Sequence, residues 1–477
     1  MNNLGISPLI SDGMIIQRDV SFPLWSQKKV TVSFLDKSYE SKQINGKWLV
    51  TLDPAQAGGP FTLKIKSDDD SAVINDVYSG DIWLCGGQSN MEVDMHQLKK
   101  KYPEEWKNLT PLLPIHHFRV PKEWDFIAPH DDISGGRWKT ASKETFKEFS
   151  AVGWFFAKFM YKQYGVPIGL INSTWGGTPV ESWMSPDALK EFPEKTEECE
   201  FYRCRENHEE AFKNSGYAIE EKDYFFAQKP SANFNTMIYP VLKFPLTGVI
   251  WYQGESNDCA PEEYGRLFKL MIEEWRMHHK KMAVNSEQKR ELPFLFVQLP
   301  VWKAASDNDE HSAWAHIRMA QAGALEIPDT GMACALELGE WDDIHPKNKK
   351  DVGYRLFLAA EKVLFASEKY SPNTSPGPIV RKIENGGWKI ENERMFIFFD
   401  NCGGGLTAAE TEAHVSVIGS NGYKRLPARI EGKDCLSIDL SSVKNPRMIL
   451  YAWADNPKDR QLFNSDGLPV IPFKIKL

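Results

Sequence analysis

Ser89 lies in "GGQSNM" between two amide side chains, directly after the strand-like run "DIWLC". A serine hydroxyl becomes a nucleophile when a base takes its proton, a further group orients that base, and donors meet the oxyanion that forms. Histidine is the side chain whose ordinary pKa suits that base near neutral pH. His116-His117 and His278-His279 are adjacent pairs whose rings cannot readily share one site. The second pair also falls in a basic run that reads as solvated and following a helix. His345 is different, standing in "GEWDDIHPKNKKDVGYRL" with Asp342 three residues before it. One short turn would set that carboxylate beside the imidazole, fixing its tautomer and stabilising the imidazolium.

Three groups offer oxyanion donors. The Ser89 N–H would sit at a helix N-terminus, where backbone donors are unpaired. Gly176 and Gly177 in "STWGGTPVESW" let backbone approach a ligand closely. Gln253 in "WYQGESN" supplies a side-chain amide. Each motif alone has a plainer reading. Serine is a common helix cap, Asp-Asp-x-His also arises from capping, glycines make turns, and Gln253 can satisfy backbone groups.

The elements that must position these residues give the pattern its weight. From Asp81, buried strand-like runs alternate with longer helical patterns: "DIWLCGG", "VPIGLINSTWGG", "LTGVIWYQGES" and "LPFLFVQLP". The segment "FSAVGWFFAKFMYKQYG" has helical periodicity and a closing glycine. Such alternation predicts a parallel sheet with helices on both faces. Ligands of such sheets bind beyond the carboxyl ends of the strands, and the clusters around Ser89, Gly176 and Gln253 fall at strand ends. Residues 1–80 read as a small antiparallel β domain, with Asn45-Gly46 as a hairpin turn. Residues 81–370 read as the α/β domain, with a charged helical insertion near 186–230. A Pro-rich linker at 370–378 leads to a C-terminal β domain over 371–477.

Composition bounds the function. The chain has 477 residues, too many for one ordinary core, and a net charge of -8 with no basic tract to follow a phosphate backbone. Nucleic acid is excluded as a partner on that ground. No G-x-x-x-x-G-K or G-x-G-x-x-G pattern supports phosphate binding at the glycines. Seven cysteines form no CxxC pair, so neither a metal-ligand spacing nor a disulfide framework is expected. No apolar run reaches a membrane span. The 16 tryptophans read first as core, although aromatic surfaces also stack on sugars. The first ten residues lack a signal-peptide pattern, which leaves a cytoplasmic protein or one whose signal has been removed.

Taken in order, "GGQSNM", "WGGTPVESW", "WYQGESN" and "DIHPKNK" resemble the sialate O-acetylesterase family of the SGNH (GDSL-like) hydrolases. "LISDGMIIQRD", "WAHIRMAQ" and "YAWADNPKDRQLFNSDGLPVIPF" extend the resemblance over nearly the whole chain. It implies a three-layer αβα, flavodoxin-like sheet flanked by β domains, with Ser89 as nucleophile and His345 as base. The Ser89 amide, a glycine of Gly176-Gly177 and Gln253 would form the oxyanion hole, with Gln253 replacing the asparagine of the broader pattern. That pattern selects Asp342 as the acid, preferred here on geometry, while the "DIHP" of the closer family points at Asp343. The implied activity is hydrolysis of acetyl esters on a sugar or glycan, without metal or organic cofactor, in a secreted or periplasmic setting. The implied sugar is sialate. Xylan, pectin or another glycan is the alternative within esterases, and a non-catalytic carbohydrate-binding protein is the alternative outside them. Arg318 would pair with a sialate carboxylate or make an ordinary surface salt bridge.

Overall fold

The computed structural model describes residues 4–109, 113–282, 291–365, 375–381, 387–409 and 413–477. Most of the expected linker at 370–378, and with it the boundary at 370, lies outside these residues. The chain forms two compact units, Met1–Ser256 with Leu267–Phe294, and Asn257–Arg266 with Leu295–Leu477.

The first unit is organised around one long strand. Strand β1 (Ser71–Gly87) does two jobs along its 17 residues. Its first half pairs antiparallel with Gly58–Lys66 and parallel with Ile15–Gln17, within the N-terminal β structure. Its second half, Asp81 to Gly87, pairs parallel with β4 (Ile168–Thr174), and from Trp83 with β5 (Gly248–Tyr252) on its other side. The expected boundary at residue 80 therefore falls inside a strand. Ser79, Gly80 and Asp81 read as a polar break in sequence, yet they are buried and the strand runs on through them. The hairpin turn lies where expected: Asn45 and Gly46 both have positive φ between Lys42–Ile44 and Lys47–Leu52.

Beyond β4 lie β2 (Ile115–Arg119), parallel to it, and the edge strand β3 (Trp138–Thr140), antiparallel to β2. The sheet is thus mixed rather than wholly parallel. A three-residue strand has too little alternation to declare its direction in sequence. Helix α1 (Ser89–Glu92) is a single turn following β1, and α2 (Ala151–Tyr164) precedes β4. Ser150 caps α2, its hydroxyl accepting from the Gly153 N–H at 3.2 Å and donating to the Met91 carbonyl at 2.7 Å. One serine therefore fixes a helix start and the turn that carries Ser89.

Helix α3 (Pro261–Met282) runs through the second histidine pair. His279 is buried and His278 stands 3.6 Å from Glu274, so neither is the solvated group expected after a helix end. Residues 186–230 are largely helical, with Pro193–Arg203, Glu206–Ser215 and Lys222–Ala227. Phe225 and Phe226 pack there with Tyr202 and Phe126.

In the second unit, which takes in β6 (Phe294–Gln298) from Leu295 onward, β6 and β7 (Thr330–Cys334) are neighbours. With them lie α4 (Ala313–Gly323) and α5 (Lys349–Ala360). The C-terminal region is antiparallel β structure, in which Arg394–Asp400, Cys435–Asp439, Gly422–Glu431, Ala413–Gly419, Met448–Tyr451 and Phe473–Lys476 pair in that spatial order. All seven cysteines are free. Among the described residues no helix is long and apolar enough to cross a membrane.

Candidate active site

Ser89 is the first residue of α1 and is half-buried. The turn that presents it leaves no room for a side chain at Gly87. Gly87 has φ +126°, and a Cβ there would lie 2.2 Å from the Tyr252 carbonyl oxygen. The backbone of β1 therefore runs against β5 and leaves it abruptly. Gln88, which occupies the cap position, gives no side-chain cap bond. Its amide turns the other way. Nε2 donates to Ser256 Oγ at 3.2 Å, and Oε1 accepts the Gly254 N–H at 3.3 Å. Asn90 Nδ2 donates to Glu255 Oε1, both side chains being buried. Gln88 and Asn90 thus clasp the serine turn to the loop that carries Gln253. Sequence reasoning assigned neither residue a role. The available signal was that both motifs bring polar residues to neighbouring strand ends, where buried polar groups must find each other.

Gln253 follows β5 and is fully buried, with Nε2 at 3.4 Å from the Thr178 carbonyl oxygen. That distance is long for an amide hydrogen bond. The "WGGTPVESW" loop that supplies Thr178 is braced by indoles. Trp183 Nε1 donates to Thr178 Oγ1 at 2.9 Å, and Trp275 Nε1 donates to the Trp183 carbonyl at 3.0 Å. Trp251 lies edge-on to both Trp183 and Trp275. These buried tryptophans are structural, which is the plainer of the two roles weighed for them.

The two loop glycines differ. A Cβ on Gly176 would lie 3.3 Å from Ser89 Cβ, so this glycine abuts the serine directly. Its N–H, however, donates to Glu92 Oε2 at 2.8 Å. Gly177 has φ +74°, and a Cβ there would meet the Tyr224 hydroxyl at 2.2 Å. Tyr224 comes from the helical segment Lys222–Ala227, which therefore packs on this loop.

His345 lies in the second unit, on the loop between β7 and α5. The loop is fixed by Glu340, whose carboxylate accepts the Lys347 N–H at 2.9 Å, and by Asn348, which caps α5. Asp343, not Asp342, stands by the histidine. Asp343 Oδ1 accepts the His345 backbone N–H at 2.8 Å and lies 4.0 Å from Nδ1. The carboxylate is near enough to act on the ring's charge and too far for a ring hydrogen bond. Asp342 instead lines a cleft of about 560 Å³ with Trp341, Asn456 and Arg460. Of the two aspartates weighed from sequence, the alternative acid, Asp343, is the one that approaches the imidazole. Burial, then the Lys349 charge, hold the His345 imidazole below the ordinary histidine range, with Asp343 pulling the other way.

Arg318 is no surface group. It is fully buried in the second unit. Its guanidinium donates to the carbonyls of Leu299, Pro300, Ala454 and Asp455 at 2.7 to 2.9 Å. It meets neither a substrate nor a surface carboxylate. A periodic helical pattern could not distinguish this inward arginine from an exposed one.

A serine on a strand-to-helix turn, beside a glycine loop and a buried amide, goes with the chemistry of carboxylic-ester hydrolysis. The chain belongs to the family described as carbohydrate esterase, sialic acid-specific acetylesterase, whose model matches residues 79–208 and 216–361. It is similar to rat sialate O-acetylesterase, 28% identical over 470 residues covering 90% of this chain and 84% of that one. The human sialate O-acetylesterase is 31% identical over 71% of this chain and 64% of its own length. Among solved structures it resembles a carbohydrate acetylesterase from Xanthomonas citri, 33% identical with a TM-score of 0.82 over 99% of both chains. The chain is a hydrolase of carboxylic esters.

Proposed function

We propose that this esterase removes O-acetyl groups from sialic acids through an acetyl-enzyme on Ser89. The observation that carries this reading is the family match, which includes both the Ser89 turn and the His345 loop. The buried clasp of Gln88 and Asn90 supports it, because a cap residue would not need such anchoring. His345 takes the Ser89 proton as Oγ attacks the acetyl carbonyl carbon. The tetrahedral oxyanion is held by the Ser89 N–H, the Gly177 N–H and Gln253 Nε2. Gly177 takes this role over Gly176, whose N–H is already given to Glu92. The C–O bond to the sugar then breaks, and the alkoxide leaves with the proton from His345. Water, deprotonated by the same histidine, repeats the attack and releases acetate. Asp343 supports the imidazolium by its charge. The fold reading that goes with this is the three-layer αβα arrangement of SGNH hydrolases, and a secreted or periplasmic setting suits the substrate.

A second reading, acetylated xylan, pectin or another glycan, is favoured by the similarity to the Xanthomonas enzyme, described only as a carbohydrate acetylesterase. Acetate release from an O-acetylated sialic acid, acetylated xylan and acetylated pectin separates the two. The sialate substrate is expected to give the highest kcat/KM, and higher turnover on xylan or pectin would reassign the sugar.

A further inference from the structure

Beside the Ser89 turn the first unit carries a cleft of about 700 Å³, a size that accommodates one or two sugar rings. Glu92 in its wall belongs to α1 and also holds the Gly176 N–H. Thr174, at the end of β4, also lines it. Four cations line the cleft, Arg119, Lys122, Arg137 and Lys139, against two carboxylates, Glu92 and Glu148. That is a local excess of positive charge in a chain whose net charge is -8.

The pairing inside the cleft decides which charges remain available. Lys122 is ion-paired with Glu92, and Lys139 with Glu148. Both carboxylates are thereby used by lysines. Arg119 gives one hydrogen bond of 3.3 Å to the Glu148 backbone carbonyl, a neutral acceptor. Arg137 is exposed and has no ion pair among the described residues. Two guanidiniums in one cleft therefore lack a carboxylate partner. A guanidinium presents a planar fork of donors that matches a carboxylate in a bidentate fashion. Lys122 Nζ also lies 5.6 Å from the centre of the Trp175 ring, which places an aromatic face close to these charges.

We propose that this cleft is an anion subsite of the esterase, binding the carboxylate of an acidic sugar through Arg119 and Arg137 while the acetyl group lies at Ser89. The assignment rests on the esterase reading above and adds a requirement to it. A neutral acetylated glycan leaves both guanidiniums unmatched, whereas a sialate or a uronate satisfies them.

The test is calorimetric titration of the full chain with N-acetylneuraminic acid, its methyl ester and inorganic phosphate. Parallel titrations use Arg137→Gln and Arg119→Gln Arg137→Gln. The free acid is expected to bind at least about 10-fold more tightly than the methyl ester. Arg137→Gln, an exposed position that spares the fold, should cut that preference about threefold or more, and the double variant should abolish it. Equal binding of acid and ester by the unmodified chain would overturn the proposal. So would an undiminished preference in Arg137→Gln, or phosphate binding tighter than the sugar acid. Hydrolysis of p-nitrophenyl acetate is measured beside it. Its absence would overturn the esterase reading, while the titrations still decide the anion subsite.

Discussion

At the scale of single residues, the base and its neighbour carry a prediction in which pH separates chemistry from packing. His345 is held below the ordinary histidine pKa of about 6.5 by burial and by Lys349, while Asp343 opposes that shift. The neutral, proton-accepting ring thus persists to lower pH than a free histidine would allow. The acid limb of kcat/KM is expected below pH 6.5, and removing the Asp343 charge should move it lower still. Asp343→Asn should also reduce kcat/KM by about 10- to 10²-fold, whereas Asp342→Asn should change it by less than about threefold. A pH–rate profile of the two variants decides between the carboxylates. A larger loss in Asp342→Asn, or an upward shift in Asp343→Asn, would contradict the assignment. Types and spacing nominate His345 with Asp342, and the resemblance adds Asp343, but neither chooses between the aspartates. That choice depends on where two adjacent side chains point in one turn, and spacing carries no such information. Arg318 shows the same limit, since burial of its guanidinium among four carbonyls depends on the Ala454 and Asp455 backbone more than a hundred residues away.

At the scale of elements, two buried histidines couple the sheet and a helix to pH. His117 on β2 is fully enclosed, stacked on Phe149, with Nε2 accepting the Ser150 N–H at 3.4 Å. Burial pushes it down to about 3. Burial likewise pushes His279 on α3 down to about 4. Both rings are neutral in the fold and protonate near pH 6.5 once unfolded. The unfolded chain therefore binds more protons between those values. The stabilisation is complete above about pH 6.5 and is lost as pH falls toward 4 for His279 and toward 3 for His117. Each site contributes a slope of about 1.4 kcal/mol per pH unit within its window. His117→Leu should flatten the dependence of urea-unfolding stability on pH between 6 and 4, and an unaltered slope would refute this linkage. At this scale the strands were the most legible part. Long apolar runs that end in small polar residues have few other solutions, so β1, β4 and β5 stand where periodicity puts them. Helix α3 was read as ending too early, because its basic last turn resembles a solvated tail.

At the scale of the whole molecule, the sequence pattern divides the chain differently from its packing. A change of texture near residue 80 reads as a domain boundary, yet β1 crosses it without a break and joins the N-terminal strands to the sheet in one compact unit. Strand continuity is invisible because the first half alternates polar and apolar residues, the second half is a buried run, and Ser79-Gly80-Asp81 between them reads as a break. The family, in contrast, was legible over nearly the full length, because four motifs in fixed order are far more specific than any one. That order also gives the account its central claim, that the serine on the β1 turn is the nucleophile rather than a helix cap. The measurement that tests it most directly is hydrolysis of p-nitrophenyl acetate by Ser89→Ala, with circular dichroism to check the fold. The account predicts an unchanged spectrum and activity lowered by at least about 10³-fold. A folded Ser89→Ala protein that retains full activity would contradict it.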